Sequence, residues 1–431
     1  MNATLLSLEQ TPPLSVPIRF FLTAPLFGIL ASILLFYYGQ ELFDNRWSMH
    51  TLALTHLLTL GFITMVMFGA MLQLLAVLAA SPVPYPVLVG NALHISLTLG
   101  TLSLAAGFLN GYTWLIQAAV ILLGFSFLVF ISVVAYCLIR IKDRNPIFTA
   151  MSLALTALAV TAILGIGLGM LFGFQINLPF PQIMTDLHLT WGLIGWIVLL
   201  LIGVAYQVVP MFQITPAYST RLTRWLVPLI FMSLLLWTMF YVLALFDKVP
   251  VLVPQILMGL IGIGLSSFAV ATLTIQKRRL RKLPDITLNY WRVGMLSLLL
   301  CVILWLANIS SIFLVILFIG GFVLPVIQGM LYKIVPFLVW LHLQNQQGNN
   351  PIKRIKVPNM KKIIPDKQAR YQFWLYMLTF GLLIVAMFTP FSYMNSIASI
   401  ALMLSFLFLA YNIYSAVLIY WRVSREMAEI V

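Results

Sequence analysis

The chain is short of nearly everything a soluble enzyme uses for chemistry. Of its 431 residues, ten are acidic, five are histidines, two are cysteines, and only 8% carry charge. Soluble domains carry roughly 25% charge, so a soluble globular fold is excluded. Cys137 and Cys301 both sit in apolar stretches; they form neither a disulfide framework nor a C-x-x-C metal site, and read as buried thiols. The first residues lack a basic segment followed by a short apolar run and a small-residue cleavage site, so no cleaved signal peptide is expected.

What remains is apolar. Hydrophobic residues make up 62% of the chain, and the mean hydropathy is +1.05. About twelve runs are long enough to cross ~30 Å of hydrocarbon, near 17–39, 51–79, 86–108, 112–140, 147–173, 182–209, 222–246, 251–275, 288–307, 310–340, 370–390 and 393–421. Backbone exposed to lipid must satisfy its own hydrogen bonds, so these runs predict helices, and the short alternating segments of a β-barrel are missing. The expected fold is all-α: a single transmembrane domain over 1–431 with about twelve helices.

The formal charge of +14 follows topology. Basic residues cluster at Arg140, Lys142 and Arg144, at Arg221 and Arg224, at 277–282, at 353–370, and at Arg422 and Arg425. With twelve spans these fall on one face together with Arg19, and the other face keeps Arg46 and Lys248. The positive-inside rule then places both termini and a basic loop at 341–369 in the cytoplasm of a bacterial-type inner (plasma) membrane. Membrane lipid is the expected partner of the basic flank, and no nucleic acid is expected. Glu41, Asp44, Asp186 and Asp247 lie at the opposite edge and the other carboxylates on the cytoplasmic side. None is deep within a span, which weakens ion-coupled transport.

A pattern recurs in the second, sixth and tenth spans. It reads Gly61-Phe62, Gly69, Leu72-Gln73 and Ala76, then Gly195-Trp196, Gly203, Tyr206-Gln207 and Pro210, then Gly321-Phe322, Gly329, Tyr332-Lys333 and Pro336. Offsets of 134 and 126 residues superpose the three without gaps. Twelve helices therefore divide into three pseudo-repeats of four, near 17–140, 147–275 and 288–421. Glycines eight apart share a helix face and admit a neighbouring helix or a flat ligand. Pro210 and Pro336 are expected at helix ends, where a break costs least.

His56 and His188 open two of the repeated spans at nearly one depth. Neutral imidazole ligates haem iron, copper or zinc. A membrane histidine also satisfies itself against a carbonyl, and the residues alone leave both readings open. His50, beside Trp47, reads as interfacial, and His94 in the third span as a packing or hydrogen-bonding residue; both stand as secondary metal-ligand candidates. His342 reads as interfacial on the cytoplasmic side. Gln73, Tyr206, Gln207 and Tyr332 are candidates to line a cavity.

At these residues the chain resembles subunit I of the haem–copper oxidase superfamily, especially its nitric oxide reductase and C-family branches. The resemblance rests on His56 ahead of Gly69-Ala70 and Gln73, on His188 ahead of Gly203, Tyr206, Pro210 and Thr215 to Ser219, and on Gly329, Leu331, Tyr332 and Pro336. It implies twelve helices in three pseudo-symmetric groups of four, cytoplasmic termini, and haem and copper held toward the periplasm. The family's tenth-helix histidine pair is replaced by Leu314 and Ile316, and 222–246 contains no histidine for copper. Oxygen or nitric oxide reduction is therefore not expected.

Two functions follow. One is a noncatalytic oxidase-like membrane protein that binds haem b or copper through His56 and His188. Its role would be electron transfer, nitric oxide response or metal-centre assembly, with respiratory or assembly proteins as partners. The other is a transporter or small-ligand or lipid-binding protein on the same bundle, without cofactors.

Overall fold

The computed structural model describes residues 11–79, 81–142, 144–280, 284–309, 311–348, 355–389 and 391–429. Every regular element among them is helical. Twelve helices are long and apolar enough to span a membrane: α1 (Ser15–Tyr38), α2 (Met49–Ala76), α3 (Pro86–Asn110), α4 (Thr113–Ile139), α5 (Pro146–Phe174), α6 (Pro181–Gln213), α7 (Thr220–Leu245), α8 (Leu252–Lys277), α9 (Ile286–Leu306), α10 (Ile312–Gly348), α11 (Asp366–Phe388) and α12 (Tyr393–Ala428). This is a multi-pass membrane protein.

Local chemistry sets the helix starts. Ser48, Asn145, Ser219 and Asp285 accept backbone N–H bonds from the first turns of α2, α5, α7 and α9, satisfying donors that a helix start leaves unpaired. Pro86, Pro146 and Pro181 occupy first helical positions, where a missing N–H costs nothing. Prolines within helices are tolerated as well: α6 continues past Pro210, and α10 runs twelve residues beyond Pro336 to Gly348. The expected helix ends at these prolines are therefore displaced, and 341–369 is partly helical. A short helix at Met360–Ile363 and the start of α11 at Asp366 take up more of it, while 349–354 lie outside the described residues.

Packing follows one scheme in each set of four helices. The second helix rests on the first, the third pairs closely with the fourth, and the fourth packs on the first helix of the next set. Helix α12 returns to α1 and closes the ring. The second helices, α2, α6 and α10, lie innermost: 72%, 67% and 72% of their most apolar stretches are buried, against 28–56% for the other nine.

The recurring glycines seat this arrangement. Gly61 and Gly69 meet Phe27 and Phe20 of α1, Gly195 and Gly203 meet Ala157 and Ala150 of α5, and Gly321 and Gly329 meet Ser297 and Tyr290 of α9. None of the six sites has room for a Cβ without movement. The glycines thus admit a neighbouring helix rather than a flat ligand. Each Gly-aromatic pair also lies in a π-helical segment, at Leu57–Thr64, Trp191–Val198 and Leu317–Val323. Segments of this kind are rare, and their starts are offset by the same 134 and 126 residues as the sequence motif.

Candidate functional site

His56 is the last α-helical residue before the π segment of α2, and His188 lies three residues before the corresponding segment of α6. The two imidazoles come together, with ring centroids 6.3 Å apart and planes inclined by 24°. Each ring is held by backbone. The Nδ1–H of His56 donates to the Leu52 carbonyl at 2.8 Å, and that of His188 to the Thr161 carbonyl of α5 at 3.0 Å. A carbonyl only accepts, so Nδ1 carries the proton and the neutral ring keeps its lone pair on Nε2.

Both rings line a cavity of about 180 Å³ walled by α2, α3, α4, α5, α6 and α10. Gly165 makes space for His188: a Cβ there would lie 2.7 Å from the His188 Cε1. Four hydroxyls on the wall, those of Thr55, Thr59, Thr161 and Thr185, donate to carbonyls one turn back in their own helices. Their protons are thereby occupied. The indole N–H of Trp196, also on the wall, is buried without a partner among the described residues. The site therefore offers two nitrogen lone pairs inside mostly apolar walls, and no carboxylate lines it among the described residues.

The other candidate residues lie elsewhere. His50 bonds Glu41 through Nδ1 at 2.8 Å and stacks on Tyr38. The Nε2 of His94 pairs with the Thr23 hydroxyl at 2.8 Å, its ring edge-on to Phe20. His342 links the Leu338 carbonyl with that of Pro12, tying α10 to the segment ahead of α1. None of the three lines the cavity of His56 and His188.

Nor do Gln73, Tyr206, Gln207 and Tyr332 line it; Gln73 is 17 residues beyond His56, ~25 Å along the helix. Gln73 is buried with both amide atoms unpartnered among the described residues. Tyr332 accepts from the Asn412 amide at 2.8 Å. Tyr206 packs against Tyr218, whose hydroxyl shares a hydrogen bond of 2.9 Å with Thr272; burial pushes the Tyr218 phenol well above its ordinary range, so it stays neutral.

Sequence reasoning missed Thr161 and Gly165, which position His188, and an ion pair above the site. Asp186 holds Arg46 at 2.9 Å and accepts from the Tyr241 hydroxyl at 2.7 Å. The isolation of Arg46 on a face almost free of basic residues was the available signal.

A second cavity, of about 220 Å³, adjoins the first between α6, α8, α9 and α10. Leu314, at one of the positions where the resemblance implies a haem-ligating histidine, lines it together with Cys301. The Cys301 thiol faces the Leu314 carbonyl at 3.6 Å. Among the described residues, no three histidine, cysteine or carboxylate side chains gather so as to hold a metal ion, leaving His56 and His188 as a two-nitrogen set. No family model matches the chain, and no curated protein is significantly similar to it.

Proposed function

We propose that the protein holds a copper ion, as copper(I), on the Nε2 atoms of His56 and His188, and that it serves metal-centre supply or assembly rather than catalysis. One observation carries this reading: two backbone-anchored neutral imidazoles share one cavity with centroids 6.3 Å apart. Nitrogens at about 2.0–2.1 Å from a common ion would place opposed imidazole centroids roughly 6 Å apart.

The donor set selects among cofactors. Imidazole suits copper, zinc, nickel and iron alike. Neutral ligands in apolar walls leave the charge of the ion uncompensated, and the desolvation cost grows steeply with that charge, so a monovalent ion is favoured. Two nitrogens also fall short of the tetragonal set that copper(II) prefers, which argues against electron transfer. A haem fits poorly, because a cavity of about 180 Å³ lies below the ~300–1,000 Å³ typical of sites for larger ligands. The coordination left open by the protein suits transfer of the ion to a respiratory or assembly partner.

The same reading takes the chain as a divergent relative of haem–copper oxidase subunit I with three pseudo-repeats and cytoplasmic termini in a bacterial-type inner membrane. The π segments at matching offsets and the recurrent helix packing support the repeats, and the one-sided basic residues support the orientation. A second reading, a small-ligand carrier without cofactors, draws on the apolar walls of the cavity.

Metal analysis separates the two. Protein purified under reductant should contain copper and compete for it with a chromophoric copper(I) chelator. It should show no haem bands in a reduced-minus-oxidised spectrum. Copper-free protein whose metal content is indifferent to His56→Ala would sink the proposal, and haem bands would redirect it to haem.

A further inference from the structure

A third cavity lies far from the His56–His188 pair, on the face where α1 begins and α12 ends. It measures about 650 Å³ and opens between the last turn of α8 and the first turns of α9 and α11. Four cations line it, Lys277, Arg279, Arg292 and Arg370, against two carboxylates, Asp285 and Asp366. Both carboxylates are already matched by lysines: Lys333 holds Asp285 at 3.0 Å and Lys361 holds Asp366 at 3.0 Å. Asp285 also accepts from the backbone and hydroxyl of Thr287. Arg279 is engaged with the Gln213 carbonyl. Lys277, Arg292 and Arg370 have no ion-pair partner among the described residues. The cavity thus holds positive charge that its own carboxylates do not balance.

The position of the two arginines says what kind of anion fits. Arg292 lies six residues into α9 and Arg370 four residues into α11, about 9 and 6 Å along helices that continue into the apolar layer. Directly below Arg292, at helical spacing, Leu296, Leu300 and Ile303 are exposed. Below Arg370, Trp374 (62% exposed) and Leu378 form the matching stripe on α11. Helices α9 and α11 are neighbours. Together they present a cationic pocket near the starts of α9 and α11, next to two apolar stripes, with Trp374 between charge and stripe, the kind of position where such rings settle in membrane proteins. A free phosphate would use only the upper half of this arrangement. An amphiphile would use all of it.

We propose that this cavity binds the headgroup of an anionic phospholipid, with Arg292 and Arg370 on the phosphate and the acyl chains along α9 and α11. The proposal does not depend on the histidine pair. Basic pockets between membrane helices are a recognised means of holding such headgroups.

The test uses the full chain in nanodiscs of phosphatidylcholine with a minor share of phosphatidylglycerol, followed by native mass spectrometry after mild extraction. The intact protein should retain phosphatidylglycerol with about tenfold enrichment over phosphatidylcholine. The R292Q/R370Q variant should lose that enrichment. Arg224 also lies on the basic face, beside Trp225 and away from the cavity, so R224Q should keep it. If the double variant does not fold, R292Q and R370Q alone carry the same test at smaller amplitude. Equal retention by the cavity variants, or an equal loss in R224Q, overturns the site. Displacement of the lipid by excess inorganic phosphate overturns the lipid assignment and makes free phosphate the ligand.

Discussion

Two cavities share a wall in the half of the bundle where α2, α6 and α10 begin. Leu189, Leu193 and Val315 line both. Their volumes are close, about 180 and 220 Å³, and both walls are mostly aliphatic. They differ in what projects among the aliphatics. The first has His56 and His188, anchored so that each keeps an available lone pair. The second has Cys301 with its thiol directed at a carbonyl, and Leu314 where the resemblance implies a ligand. Helix packing therefore supplies two comparable chambers, and the donor chemistry of one of them rests on two side chains. Space alone does not make the site.

The largest effect should come from removing those donors. His56→Ala and His188→Ala each leave a single nitrogen, which cannot hold copper(I) in an apolar chamber. Loss of a direct ligand should exceed the roughly 10–100-fold typical of outer-shell changes, read as copper(I) affinity by chelator competition. Retention of copper by both variants would collapse the contrast between the chambers. Gly165→Ala should act next, more gently. Its methyl group would meet the His188 ring at 2.7 Å and displace it, lowering affinity by about tenfold. The cost in stability, about 1–3 kcal/mol for an overpacked contact, is read separately by thermal unfolding. Unchanged affinity would mean that the orientation of His188 is not what makes the first chamber different.

The contrast was partly legible beforehand, for reasons that differ along the chain. Lipid leaves the backbone few options, so twelve apolar runs translate into twelve helices, with α6, α10 and α12 running past the ends of their apolar runs. The glycine spacing left a neighbouring helix or a flat ligand open, and the structure gives helix partners, α1, α5 and α9. The π segments had no such signal, because bonds from residue i to i+5 require no particular residue type. His56 and His188 stood out through their places in the repeat, two positions apart. Their anchors did not, since the Leu52 and Thr161 carbonyls exist at every residue type. Gln73, Tyr206, Gln207 and Tyr332 are polar groups within apolar spans, but their spacing from the histidines puts them toward the opposite end of the helices, so polarity alone is a poor guide to the cavity.

Above the first chamber, the Arg46–Asp186 pair joins the loop after α1 to the start of α6. With side-chain exposures of 42% and 25% the pair is well solvated, and such pairs contribute about 0.2–1 kcal/mol. Arg46→Gln should lower the unfolding midpoint slightly and leave copper affinity within experimental scatter. A large loss of copper would instead make this pair part of the site, because Asp186 is two residues from His188.

The smallest expected effect is also the sharpest test of the comparison. Cys301 is the softest ligand in the second chamber, and thiolates bind copper(I) strongly. If the protein takes its copper there, Cys301→Ala should abolish binding and His188→Ala should not. The geometry argues for the reverse. A metal-binding cysteine must be a thiolate, and Cys301 has no cation among the residues lining its chamber to support one. Its hydrogen instead meets the Leu314 carbonyl, an arrangement that requires the protonated form. Cys301→Ala should therefore leave copper content and affinity unchanged, with a modest fall in thermal stability from the lost sulfur packing. A double variant, Cys301→Ala with His188→Ala, should match His188→Ala alone in copper affinity. Any further loss in the double variant would show that the two chambers act as one site and that the wall between them is open to the ion.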